Sequence, residues 1–281
     1  MGLFGGKMSV GLTVDSEGYE PGQSIAARVS VGGEGDDKLR ALRVELRYHN
    51  TYYHETSSSS DSGGRDETKT SDDVVVVTEQ VPAEELATIA GSGSFDFTLT
   101  IPEDVPPSAP KWVDWSVAAI LDRRRARDRR ESVPITILAP ATGYSLWATA
   151  PQSCDEDACD MQLDLDARAV RIGGTLSGTL RIDPKLAFDA RRVRVALEGR
   201  MHHEDGIKRK AGEAKVTVAE RTAFVPGFAQ EFPFQITVPA EALPTFLAQH
   251  NQLRWTLRGI CDRSLRGDHD VSAEIVVYTA P

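Results

Sequence analysis

Residues 95–138 read FDFTLTIPEDVPPSAPKWVDWSVAAILDRRRARDRRESVPITIL. The run from Phe95 to Ile101 alternates apolar and polar residues and ends at Pro102. A loop bearing Pro106, Pro107 and Pro110 follows. Trp112 to Leu121 alternates again and stops at Asp122-Arg123, and after a charged turn Ser132 to Leu138 returns. Period-two alternation punctuated by proline marks strands. The spacing therefore predicts strand, loop, strand, turn, strand. Helix is the alternative over Ala118–Arg130, because Ala and Arg are good helix formers. Of the two faces of the central run, Val113, Trp115, Val117, Ala119 and Leu121 belong inside, because Asp114 and Ser116 lie on the other.

A weaker copy closes the chain at residues 232–278, FPFQITVPAEALPTFLAQHNQLRWTLRGICDRSLRGDHDVSAEIVVY. Earlier segments repeat as well. GQSIAARVSV (22–31) matches GGTLSGTLRI (173–182), and LRVELRYH (42–49) matches VRVALEGR (193–200), both 151 residues apart. The offset falls to 137 between FDFTLTIP (95–102) and FPFQITVP (232–239), because the first copy carries a longer polar insertion. A constant offset that shifts once, at a loop, is the signature of one unit used twice. The expected fold class is all-β, with two tandem antiparallel β-sandwiches of about seven short strands each. The boundaries are 1–139, a linker at 140–159 and 160–281. A single large barrel is the structural alternative.

The flanking elements fit this plan. Val10, Leu12 and Val14 start the first strand, and Glu20-Pro21-Gly22 forms a turn in which Pro sets φ and Gly tolerates a positive one. Ile25, Ala27, Val29 and Val31 then point inward, as do Leu42, Val44 and Leu46. His54 to Asp73 contains almost no apolar residue, so a mobile loop is expected there. Pro82–Ala90 suits a short helix.

Composition bounds the function. A chain of 281 residues with 40% hydrophobic and 26% charged residues suits a globular protein. A formal net charge of -10 disfavours nucleic acid, whose phosphates it would repel. The opening MGLFGGKMSVGL lacks a signal-peptide core, and no apolar stretch approaches the roughly 20 residues of a membrane helix. A cytoplasmic protein without a membrane span is expected. Three cysteines, Cys154, Cys159 and Cys261, make no disulfide scaffold; Cys154 and Cys159 could form a bridge, but C-x4-C spacing alone specifies nothing.

Candidate sites are few. Arg123, Arg124, Arg125, Arg127, Arg129 and Arg130 form the chain's basic run. They are a docking patch for an acidic protein segment or anionic head groups, or else a solvated hairpin tip that discourages edge aggregation. Asp155, Glu156, Asp157 and Asp160 offer hard oxygen ligands, yet their spacing is not that of a Ca²⁺ loop, and a solvated acidic linker is the competing view. Cys154 and Cys159 with His202 and His203 make a remote zinc set. Trp112 and Trp147 are candidates for an exposed sugar-binding face, whereas Trp115 and Trp255 align in the repeat and point to core packing. No G-x-S-x-G elbow or other catalytic constellation is present, and no cofactor is expected.

The order of features resembles the arrestin fold family. The stretches that carry the resemblance are YEPGQ (19–23), LRVELRYHNTY (42–52), FDFTLTIPEDVPPS (95–108), KWVDWSVAAILD (111–122) and ESVPITIL (131–138). Within that family the chain is most similar to bacterial sporulation-control proteins, on the strength of its first half. The resemblance implies two β-sandwiches and a non-enzymatic adaptor or regulator that binds a protein partner. Homodimer formation through an unpaired edge strand is a further option. Phosphorylated-receptor sensing is not expected to carry over: the turn Asp262–Asp270 is too short to be the long loop of arrestins proper, and a docking tail after Tyr278 is not expected. A carbohydrate- or cation-dependent surface module is the alternative function.

Overall fold

The alternation of the sequence becomes strand after strand in the computed structural model, which describes residues 8–33, 39–57, 65–86, 92–124, 127–141, 154–155, 158–263 and 267–279. The first half runs β1 (Ser9–Val14), β2 (Gly18–Tyr19), β3 (Ser24–Gly32), β4 (Leu39–Ser57), β5 (Arg65–Val81), the short helix α1 (Ala83–Leu86), β6 (Ser92–Thr100), β7 (Val113–Arg123) and β8 (Arg129–Ile137). The second runs β9 (Cys154–Asp155), β10 (Cys159–Leu165), β11 (Ala169–Arg171), β12 (Thr175–Pro184), β13 (Phe188–His203), a 3₁₀ turn at Glu204–Gly206, β14 (Lys208–Phe224), β15 (Gln230–Thr237), β16 (Phe246–Leu247), β17 (Asn251–Arg263) and β18 (His269–Tyr278). Where helix was the alternative, residues 118–123 and 129–130 are strand, paired antiparallel across β7 and β8. α1 covers only the start of the helix expected after Pro82, and residues 87–91 lie outside the described part.

The chain divides into two compact units, Met1–Tyr52 with Lys69–Leu138, and Tyr53–Thr68 with Ala139–Pro281. The first holds a three-stranded sheet, β1-β3-β6, and a five-stranded sheet, β2-β8-β7-β4-β5. The second holds β10-β12-β15, extended by β9, and β11-β18-β17-β13-β14, with β16 on β17. Strand for strand the two orders are the same, β9 and β16 aside. Even the parallel exceptions recur, β2 with β8 and β11 with β18, in otherwise antiparallel sheets. The register of β1 on β3 reappears in β10 on β12: Val10↔Val31 becomes Met161↔Ile182 and Leu12↔Val29 becomes Leu163↔Leu180.

Burial follows the pleat. Ile25, Ala27, Val29 and Val31 are buried while their neighbours along β3 are exposed. Leu42, Val44 and Leu46 on β4 and Val113, Trp115, Val117, Ala119 and Leu121 on β7 are buried too. Each fully buried aliphatic side chain contributes about 1.5–3 kcal/mol over exposure. The Glu20–Gln23 turn closes with Gln23 N–H on the Glu20 carbonyl at 3.1 Å and Gly22 at φ 85°. Its copy closes with Gly174 N–H on the Arg171 carbonyl at 2.8 Å and Gly173 at φ 76°. Glycine at the third position removes the Cβ clash of a positive φ in both.

Two expectations fail. The strands are not all short: β4, β5, β13 and β14 have 19, 17, 16 and 17 residues. The polar stretch 54–73 is not a loop throughout, because β4 continues to Ser57 and β5 begins at Arg65. The Thr56 hydroxyl donates to the Asp66 carbonyl at 3.1 Å and meets the Thr68 hydroxyl at 3.0 Å. Backbone pairing does not need apolar side chains, so hydrophobicity alone misjudged this hairpin. Residues 58–64 lie outside the described part.

The shared tryptophans show how each unit closes. Trp115 and Trp255 are both buried. The indole N–H of Trp115 donates to the Pro106 carbonyl at 3.0 Å, and that of Trp255 to the Leu243 carbonyl at 3.0 Å. Each bond ties the loop between the two sheets to the strand that follows it. In the first unit Trp115 packs on Tyr48, with ring centroids 4.9 Å apart. The position of Tyr48 is Gly199 in the second, where Trp255 covers Gly199 and its strand partner Gly212. A Cβ on Gly212 would sit 2.6 Å from the Trp255 ring. Gly212→Ala is therefore expected to destabilise the protein by about 1–3 kcal/mol, the usual cost of overpacking. Urea unfolding followed by tryptophan fluorescence measures it, and an unchanged midpoint would mean the indole has room to move.

Candidate docking surface

The described arginines of the basic run lie where β7 leads into β8, and the structure sorts them into two kinds. Arg123 is buried. Its backbone N–H donates to Asp128 Oδ1 at 3.3 Å, and its guanidinium donates to the Arg127 carbonyl at 3.4 Å. Arg123 therefore closes the turn. In the second unit the Arg263 N–H donates to Asp268 Oδ1 at 3.4 Å, and its guanidinium donates twice to the Gly267 carbonyl, at 3.0 and 3.1 Å. Asp-Arg-x-x-x-x-Asp is thus a turn lock present in both copies. Its sequence signal is the shared spacing of DRRRARD (122–128) and DRSLRGD (262–268), whose compositions differ.

Arg124, Arg127, Arg129 and Arg130 are exposed, and none of them makes an ion pair with a described residue. Arg125 lies outside the described residues. Elsewhere many arginines are matched: Arg28 with Asp96, Arg47 with Asp73, Arg254 with Glu274 and Arg258 with Asp270. Arg192 and Arg194 grip Asp262, which is buried. Burial pushes the Asp262 carboxyl up, but the hydrogen bonds from Arg194 and Arg192 more than offset it, leaving the pKa below the ordinary value. The hairpin end thus gathers four cations without an ion pair to a described residue, in a chain of net charge -10.

The other candidates fare differently. Asp155 and Asp160 pair across β9 and β10, and Asp160 is ion-paired with Lys185 at 2.7 Å. Glu156 and Asp157 lie outside the described residues, as does Trp147. Among the described residues no group of His, Cys, Asp or Glu could hold a metal ion. The zinc set is not brought together. Cys159 pairs with Pro184 beside the start of β13, whereas His202 and His203 end that 16-residue strand. Trp112 is half-buried, with Lys69 Nζ 5.9 Å from its ring centroid. No helix of the described residues is long and apolar enough to cross a membrane.

One cluster had no clear signal in the sequence. In the second unit the buried His203 meets the Tyr53 ring edge-on, centroids 5.2 Å apart, and Arg209 lies 4.1 Å from the centroid of that same ring. Arg209 pairs with Glu67. Asp205 accepts from the Glu55 N–H at 2.9 Å, and His250 meets Glu204 at 2.6 Å. These contacts hold the far end of the β4–β5 hairpin, Tyr53–Thr68, within that unit.

Two family models match the chain. One is described as arrestin (or S-antigen), C-terminal domain, and matches residues 5–112; the other is described as SpoOM protein and matches residues 156–260. Each covers less than half of the chain, one in each half, as a duplicated unit would allow. The SpoOM match falls in the second half, not in the first, where the sequence resemblance had rested. No curated protein matches the chain. The matches indicate a relation to the arrestin and SpoOM families.

Burial, and then the nearby Arg209 charge, pull the His203 pKa down to about 4 from an ordinary 6.5. The imidazole is therefore neutral when folded and more basic when unfolded. Its stabilising contribution is complete above pH 6.5 and is lost as pH falls towards 4. His202 and His269, also lowered mainly by burial, act in the same direction. Urea midpoints measured from pH 7.5 to 4.5 should fall, by about 2 kcal/mol for His203 itself. His203→Phe should flatten that part of the slope, and an unchanged slope would show that another group titrates.

Proposed function

We propose that this chain is a non-enzymatic adaptor that binds an acidic segment of a partner protein at the tip of the β7–β8 hairpin. The observation that carries this is the cluster of Arg124, Arg127, Arg129 and Arg130, exposed and without ion pairs to described residues, on a turn locked by Arg123 and Asp128. The Arg123–Asp128 contact fixes where the two strands leave the turn, and the surrounding negative charge of the chain repels acidic partners from other faces. The relation to the arrestin and SpoOM families supports a regulator built of two tandem β-sandwiches, one in each compact unit. The SpoOM match further supports a cytoplasmic role in sporulation or cell-development control.

A short Asp/Glu-rich fluorescent peptide tests the docking site by anisotropy. Replacing the four exposed arginines with Ser should weaken binding about tenfold, given about 0.4 kcal/mol per exposed charge. Arg123→Ser should instead lower stability, because it opens the turn. Peptide affinity unchanged in the four-fold variant overturns the docking site. So does binding to anionic lipid vesicles with none to the peptide.

A further inference from the structure

The duplication leaves the two units with different sheet edges. β6 borders the three-stranded sheet of the first unit, and β15 is the same border in the second. Among the described residues each pairs with one neighbour, β6 with β3 and β15 with β12. The bonds at their ends set which backbone groups face outward. The Ile101 N–H donates to the Gln23 carbonyl at 2.9 Å, and the Ile101 carbonyl accepts from the Gly22 N–H at 2.9 Å, so residue 101 turns towards β3. Direction alternates from residue to residue along an antiparallel ladder. Phe95, Phe97 and Leu99 therefore bond inward, and Ser94, Asp96, Thr98 and Thr100 present their N–H and C=O groups to the edge. In β15 the Val238 N–H donates to the Gly174 carbonyl at 2.9 Å, so by the same alternation Glu231, Pro233, Gln235 and Thr237 face outward.

FDFTLT (95–100) and FPFQIT (232–237) differ in the middle of that edge, where Pro233 stands in the place of Asp96. Proline has no N–H to offer an added strand, and at an outward position it guards an edge against further pairing. β15 is guarded in this way and β6 is not. The open edge is also complementary to itself. When two copies of β6 run antiparallel with Phe97 opposite Phe97, Ser94 meets Thr100 and Asp96 meets Thr98 on the solvent face, and Phe95 meets Leu99 on the core face. Every outward N–H from Ser94 to Thr100 then faces an outward carbonyl. Phe97 falls at a non-hydrogen-bonded pair, where side chains approach most closely and an aromatic pair is favourable. Phe95, half-buried in one copy, gains Leu99 of the second as a neighbour. Adjacent registers are poorer. A slide of two residues one way sets Asp96 against Asp96, like charges directly opposite. A slide the other way carries Ser94 to Pro102, beyond the end of the strand.

We propose that two copies of this chain join edge to edge through β6, antiparallel and in register about Phe97, so that two three-stranded sheets continue as one. The same patch serves on both copies, so the assembly closes at two. Main-chain hydrogen bonds supply the attraction, and the pairs Phe97 with Phe97 and Asp96 with Thr98 set the register.

Sedimentation equilibrium on the full-length chain reads the association, with circular dichroism reporting the fold. The wild type is expected as a dimer that dissociates on dilution. Asp96→Pro copies the guarded edge of β15, removing an outward N–H and the exposed ion pair with Arg28; it should be monomeric with an unchanged spectrum. Thr98 is exposed. Thr98→Lys sets a lysine against Asp96 at both symmetric sites and should tighten the dimer about fivefold, whereas Thr98→Asp should weaken it by about the same factor. These two variants decide the matter even where proline disturbs the sheet. A wild type that stays monomeric at every concentration overturns the proposal, and so does a dimer that survives Asp96→Pro in folded protein. A Thr98→Lys dimer no tighter than the wild type overturns it as well, because Thr98 then does not face Asp96.

Discussion

An indole N–H held by the carbonyl of a crossing loop is the constraint on which each unit depends. The chain must leave one sheet at the end of β6 and enter the other at β7. Pro102, Pro106, Pro107 and Pro110 limit the paths it can take. Trp115 then fixes the loop by accepting burial only with its N–H satisfied at Pro106. The second unit repeats this at Leu243 and Trp255 with a loop of different sequence. A buried aromatic carrying one polar atom does two things here: it fills the core, and it loses that advantage if the loop strays.

Divergence between the copies shows which features the shared architecture does not dictate. Tyr48 faces Trp115 in one unit, and Gly199 and Gly212 make room for Trp255 in the other. The arginine turn lock is common to both, so Arg123 belongs to the architecture. The exposed arginines beyond it are extra, and charge without an architectural duty is what a docking surface requires.

Much of this was legible in the sequence because alternation has a period that only a strand satisfies. The buried face of β3, the inward set on β7 and the equivalence of Trp115 with Trp255 all followed from pattern and repeat. The far end of the β4–β5 hairpin was not legible. Its stability comes from backbone pairing and from Tyr53 set between His203 and Arg209, partners about 150 residues away in sequence. The basic run was legible as charge but not as two classes of arginine. Separating Arg123 from the rest required the position of Asp128 across the turn.

Hydrogen exchange read by mass spectrometry tests the duplicated closure most directly, on Trp115→Phe and Trp255→Phe variants compared with the parent chain. Phenylalanine keeps most of the apolar volume and deletes the N–H, leaving the loop carbonyl without its donor. The account predicts faster exchange in β6, β7 and their loop for the first variant, and in β15, β17 and theirs for the second, to a similar extent. Protection lost in one unit only, or in neither, would contradict the claim that the same bond closes both.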